Sequence, residues 1–389
     1  LGFVLVLIHG LTTQARADTL DWATRPLTNL QTSTDTATVG SITITTSGAV
    51  AGSATTRTLQ IEPAGTQNGR TGIIRSTMDA TTDNGTVTQT VTFTFSAPVI
   101  NLSFTIIDID GGTSGSWNDH IQFSSPYPTA TFVGSNVTYN AATGRATANG
   151  ASVSDTTGDL TVNFAGPLTT VSVTHIAADA RGTNPANQIV AIDDLTFAPA
   201  PRVTINKVSH GGTGTFDFTG TNGFGSDTVT TVTAGVSVAG TTKPLSALAT
   251  STTLTESAPP AGFALTDITC SGLGAGTATP NLATRTVTLS AAAITAGANI
   301  SCTFTNRRTT VKVQKVTTGG FGGPFSFNQT NLAAAPGAIT TTAAGTPTPA
   351  SPTAINVTTI GSAVTLTETV ASGYQLSAAS CSDANAAVT

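Results

Sequence analysis

The stretch 202-RVTINKVS-209 alternates as a β-strand does, and the alternation contains a fault. Val203 and Ile205 fall on one face, Thr204 and Asn206 on the other. Lys207 then follows in phase with the two apolar residues, so a strand that buries Val203 and Ile205 carries Lys207 inward with them. A buried lysine is costly unless it is paired, neutralised or consumed by chemistry.

Two further polar residues share this position. In 253-TLTE-256, Glu256 is in phase with Leu254; in 299-NISCTFTN-306, Asn306 is in phase with Ile300, Cys302 and Phe304. A first-strand Lys, a middle-strand Glu and a last-strand Asn would all face one core. The pattern then recurs. The run 202-RVTINKVSHGGTGTFDF-218 parallels 310-TVKVQKVTTGGFGGPFSF-327, and 252-TTLTESAPPAGFALTDITC-270 parallels 364-VTLTETVASGYQLSAASC-381. Lys207 and Lys315 lie 108 residues apart, about one small β-sandwich. In the second copy Lys315 is in phase with Val311 and Val313, and Glu368 with Val364 and Leu366. This copy stops at Thr389, before any counterpart of 285-RTVTLS-290 or of the Asn306 strand. Its closing strands are expected beyond that point, in a longer protein.

Period-two runs extend through the whole 389-residue chain, and no stretch holds a helical period for long, so the fold class is all-β. Only 9% of residues are charged, against roughly a quarter in ordinary proteins. The net charge is −5, and Arg307-Arg308 is the one basic pair, which argues against a nucleic-acid partner. The histidines, His9, His120, His175 and His210, show no metal-ligand spacing, and a zinc or Ser-His catalytic centre has little support. The apolar run 1-LGFVLVLIHGL-11, followed by 15-ARA-17, reads as a signal peptide over residues 1–17, cut after Ala17; a buried strand is the alternative. The run is too short for a comfortable transmembrane helix. An exported chain permits disulfides. The Pro/Ala-rich break 197-FAPAPRV-203 separates an N-terminal β-sandwich, residues 18–198, from the repeats at 202–308 and 309–389.

On the residues "INKVS", "TLTESAPPAGF" and "CTFTN", the segment 202–306 resembles the prealbumin-like, Cna B-type (SpaA-type) domains of bacterial surface proteins and pilins; 310–389 resembles them in part. In this family the corresponding Lys and Asn often join in a spontaneous isopeptide bond assisted by the acid. The resemblance therefore implies a Lys207–Asn306 bond with Glu256 as its catalyst, and an incomplete counterpart at Lys315 and Glu368. Burial would hold the amine and the acid neutral, and a protonated Glu256 would donate to the Asn306 carboxamide oxygen, where charge develops. A plain Lys–Glu ion pair with Asn306 closing a strand is the alternative. Within the same frame Cys270 and Cys302 are expected to form a disulfide, and Cys381, in the place of Cys270, to stay free.

In the N-terminal part, Leu102, Phe104 and Ile106 run in phase into Asp108 and Asp110, after a turn expected at Ala97-Pro98. With Asp119, Asp193 and Asp194 these are a large share of a sparse acidic inventory, and hard oxygen ligands of this kind suit Ca²⁺. Loop-capping aspartates are the alternative. The stretch 192-IDDLTF-197 weakly resembles the last strand of jelly-roll domains, some of them carbohydrate-binding. With only two Trp and three Tyr, a glycosidase cleft is disfavoured. The reading preferred on these grounds is an exported, non-enzymatic cell-surface protein of structural or adhesin type. It would meet a host or environmental surface ligand or glycan. A secreted carbohydrate-binding protein with a calcium-dependent N-terminal module is the second reading.

Overall fold

The computed structural model describes residues 17–80, 84–112, 118–149, 153–178, 188–352 and 354–382. The expected signal segment thus lies, up to Arg16, outside the described residues. Strands dominate, as the alternation demands, and the helical segments described are three-residue 3₁₀ turns such as Trp22–Thr24 and Ala291–Ala293. No described helix is long and apolar enough to cross a membrane.

The N-terminal region folds as one connected sheet system ending at Pro199. Its spine is the strand Asn84–Ile107. Val91, Phe93 and Phe95 alternate inward along its first half, which pairs with Ile42–Ala51 and Leu168–Ala178. Along its second half Leu102, Phe104 and Ile106 point inward, and the partners become Leu160–Phe164 and Leu195–Pro199. The two halves are out of phase by one residue. The shift is absorbed where Val99 and Ile100 are both buried and Asn101 takes a φ of 53°. The chain therefore kinks at Asn101 within a continuous strand, where a turn at Ala97-Pro98 was expected. Pro98 interrupts nothing there, because its carbonyl accepts the Ala200 N–H. Both halves of the strand contribute to a core that includes Trp22, Phe93, Phe104, Phe123, Phe164 and Phe197.

The segment after Pro201 is a two-layer sandwich. One layer runs Val238–Ala239, Arg202–His210, Asn299–Arg308, Phe263–Ser271. The other runs Gly225–Thr230, Thr215–Gly220, Thr252–Glu256, Thr286–Leu289, Ala278–Asn281. The first and last long strands are parallel neighbours, with Arg202 opposite Asn299 and Ser209 opposite Asn306. Between the layers Phe218 and Phe304 meet edge to face at 5.2 Å, both fully buried. The second repeat is described as short ladders, Thr310–Val311 with Ile355–Asn356, Gln314–Lys315 with Thr348–Pro349, and Ser326–Thr330 with Thr365–Thr369.

Because Phe304 fills the space between the layers, Phe304→Ala in residues 202–308 should lower stability by about 3–5 kcal/mol in urea unfolding. A loss below about 1 kcal/mol would mean that the layers do not close on this ring.

Candidate functional site

The phase fault in the opening stretch is real. Val203, Ile205, Lys207 and Ser209 are all buried, and Lys207, Glu256 and Asn306 are each 0% exposed. Lys207 and Asn306 come from the two parallel strands of one layer and Glu256 from the facing layer, so the three side chains meet across the core. Lys207 Nζ lies 2.5 Å from Asn306 Oδ1 and 3.2 Å from Glu256 Oε1, and donates to the Phe304 carbonyl at 2.9 Å. Asn306 Nδ2 donates to Glu256 Oε2 at 3.2 Å. The Lys207–Glu256 contact is an ion-pair distance without hydrogen-bond alignment, which leaves Glu256 Oε1 without a hydrogen bond among the described residues. The Phe216 ring lies 4.3 Å from Nζ and closes the remaining side.

Burial pushes the Lys207 amine down to about 8, against the opposing pull of Glu256. Burial likewise raises the Glu256 carboxyl, against Lys207 and the Asn306 hydrogen bond. Both shifts lower the cost of moving one proton from nitrogen to oxygen, toward a neutral amine and a neutral acid. The amine is then a nucleophile in contact with a carboxamide, held by the fold. One detail differs from expectation: the acid faces Asn306 Nδ2 and not the carboxamide oxygen. Oδ1 is instead met by Lys207 itself.

The second repeat rebuilds part of this arrangement. Lys315 Nζ stands 2.5 Å from Glu368 Oε1, with side-chain exposures of 13% and 8%. Phe325 lies 4.5 Å from Nζ and packs edge to face on Tyr374, as Phe216 packs on Phe263. The Thr317–Thr341 hydroxyl pair likewise repeats Ser209–Thr231. Among the described residues the Lys315 segment has no parallel partner strand.

Cys270 and Cys302 are joined in a disulfide between Phe263–Ser271 and the Asn306 strand, and Cys381 is free and exposed.

The five aspartates are not gathered into one ligand set. Among the described residues no group of three or more His, Cys, Asp or Glu is arranged to hold a metal ion. Each carboxylate has protein donors instead. Asp108 accepts from Gln67 and Asn68, Asp110 from the Val153 N–H, and Asp119 from the Asp110 N–H. Asp193 pairs with Arg70, and Asp194 accepts the Trp22 N–H at 2.9 Å. Burial raises Asp108 and Asp194, and raises Asp119 strongly.

Residues 203–308 and 311–389 match the model of a family described as a prealbumin-like fold domain. These two segments belong to that family. Among solved structures, a bacterial adhesin from Mobiluncus mulieris is similar at 11% identity. It is described as containing intramolecular disulfide, isopeptide and ester bond cross-links. Its TM-score is 0.22, and the match covers 60% of this chain and 91% of that one. A second crystal form of the adhesin gives 0.24, with 68% and 99% covered. The pilus backbone RrgB from Streptococcus pneumoniae is 10% identical, with a TM-score of 0.12 and coverage of 63% and 59%. No curated protein matches.

The Lys207 shift gives a pH test on Asn306→Ala, which keeps the amine free. The folded amine loses its proton near 8 and the unfolded one near 10.5, so between these values the unfolded chain binds more protons. Stability of residues 202–308 carrying Asn306→Ala should therefore rise as pH climbs through that window. A flat or falling profile would contradict a desolvated lysine.

Proposed function

We propose that this chain is an exported bacterial surface protein of structural, adhesin type. In it a prealbumin-like domain is closed by an isopeptide bond between Lys207 and Asn306. The single observation that carries the reading is the full burial of an amine, an acid and a carboxamide in mutual contact between two sheet layers. Such a set is poor value as an ion pair, since desolvating two charges is rarely recovered by their attraction. It is well suited to reaction. Nζ, as the neutral amine, forms a bond to Asn306 Cγ. Glu256 delivers a proton to the departing Nδ2 and takes one back from the new amide nitrogen. The Cγ–Nδ2 bond breaks and ammonia leaves. Glu256 ends as it began, a neutral acid, and a neutral amide replaces the buried amine and carboxamide.

The position of the bond suits a stalk. It links the first long strand to the last, so tension applied at the two ends of the domain would pass through a covalent bond and not through the ladder between them. A cross-link spanning 99 residues also restricts the unfolded chain, by about 4–5 kcal/mol on the chain-entropy argument. The N-terminal sandwich would be carried outward on such a stalk toward an external surface ligand.

The test is the intact mass of residues 202–308. The wild type should weigh one ammonia less than its sequence after the disulfide is counted. Glu256→Ala and Lys207→Ala should each restore the full sequence mass, and residues 310–389 should show no loss. Folded wild type at full mass would leave Lys207 as a buried ion-pair lysine and overturn the reading.

A further inference from the structure

The Pro/Ala-rich break 197-FAPAPRV-203 reads in the sequence as a boundary, and two domains joined at such a boundary ordinarily move against each other. The structure leaves no free chain there. Leu195–Pro199 closes the N-terminal sandwich and Arg202–His210 opens the prealbumin-like domain, so only Ala200 and Pro201 lie between the two strands. Pro199 and Pro201 have fixed φ and no N–H to satisfy. The groups around them are taken up on both sides. The Ala200 N–H donates back to the Pro98 carbonyl at 2.9 Å, in the N-terminal sandwich. The Pro201 carbonyl accepts the Leu245 N–H at 2.7 Å, and the Arg202 N–H donates to the Ala298 carbonyl at 2.7 Å, both in the prealbumin-like domain. One bond crosses directly: the Gly297 N–H donates to the Pro199 carbonyl at 2.9 Å.

Side chains close the same place. Ile100, Ala198 and Ala200 are buried in a small apolar cluster of their own, apart from the sandwich core. Ile100 and Ala198 are cross-strand partners in the N-terminal sandwich, while Leu248 and Ala296 pack against the cluster from the other domain. The two loops that bring these residues up are tied to each other, because the Ala249 N–H donates to the Ile294 carbonyl at 2.8 Å. The Ala298 N–H in turn donates to the Thr295 carbonyl at 3.0 Å and holds the turn on which Ala296 and Gly297 sit. The end of the prealbumin-like domain is thus a shaped face. Swinging the N-terminal sandwich off it would break the Gly297–Pro199 bond and wet Ile100, Ala198 and Ala200 together.

We infer that this end face is a seat for the N-terminal sandwich, and that the sandwich and the prealbumin-like domain move as one rigid body. The rigidity comes from the shortness of the connection, its two prolines and the bonds on either side of them, and does not need a large interface. The seat fixes the direction in which the N-terminal sandwich faces, whatever it meets there. It also removes slack. The strand that leaves the seat is the one that carries Lys207, so a pull on the N-terminal sandwich enters the prealbumin-like domain at once along Arg202–His210. The inference concerns the joint alone and stands whether or not Lys207 is bonded to Asn306.

Spin labels on the two domains of the full chain test it by pulsed electron paramagnetic resonance. Thr36→Cys and Thr279→Cys place the labels at exposed strand positions, one in each domain. Cys381→Ser removes the chain's one free thiol, since Cys270 and Cys302 are held in their disulfide. With the native joint the labels should give a single narrow distance distribution. A Gly-Ser-Gly-Ser insertion between Ala200 and Pro201 should broaden it severalfold. Leu248→Asp, which sets a charge against the apolar cluster, should broaden it as well, and Leu248→Met, which keeps the packing, should leave it narrow. A native-joint distribution as broad as that of the insertion would overturn the inference, and so would a distribution left narrow by Leu248→Asp. Where Leu248→Asp fails to fold, the native joint against the insertion decides. The intact-mass measurement reads the Lys207–Asn306 bond and this one reads the joint, so the two readings fail separately.

Discussion

An amine, an acid and a carboxamide shut away from water in contact with one another are the constraint on which the prealbumin-like domain turns. Each is expensive to bury alone. Together they require a sandwich in which the first and last strands run parallel and adjacent, with the middle strand Thr252–Glu256 facing them from the other layer. A one-residue slip of any of the three strands would send its polar group to the solvent face and strand the others. The trio therefore sets register as firmly as the apolar residues around it. The aromatic rings finish the enclosure: Phe216 lies over the amine, and Phe218 and Phe304 fill the space beneath.

Much of this was legible in the sequence, because a strand has a strict period of two. Lys207, Glu256 and Asn306 announce themselves as polar residues in an apolar phase, and the 108-residue repeat puts Lys315 and Glu368 in matching places. What alternation cannot supply is the third dimension. It did not tell which atom of Asn306 meets Glu256, and the acid proves to face the nitrogen. It did not foresee that one strand could pass Pro98 and change phase at Asn101, since a left-handed residue inside a strand leaves no mark beyond being Asn. The five aspartates were grouped by type and sparsity, yet the fold hands each to its own donors, such as the Trp22 N–H for Asp194.

Only 9% of residues are charged, and the ion pairs described in the N-terminal region include Arg25–Asp35, Arg75–Glu62 and Arg70 with both Asp159 and Asp193. In the prealbumin-like domain the Cys270–Cys302 disulfide fixes the last strand to its antiparallel neighbour, on the side away from Lys207. A domain that must resist extension gains most from bonds at its first and last strands, where unravelling begins.

Pulling residues 202–308 by their ends in a single-molecule force experiment, with the disulfide reduced, tests the central claim most directly. If Lys207 is bonded to Asn306, the wild type should yield no length from the residues between them. Glu256→Ala should release about 330–360 Å as those residues extend. Release of that length from the wild type would show that no covalent clasp joins the two strands.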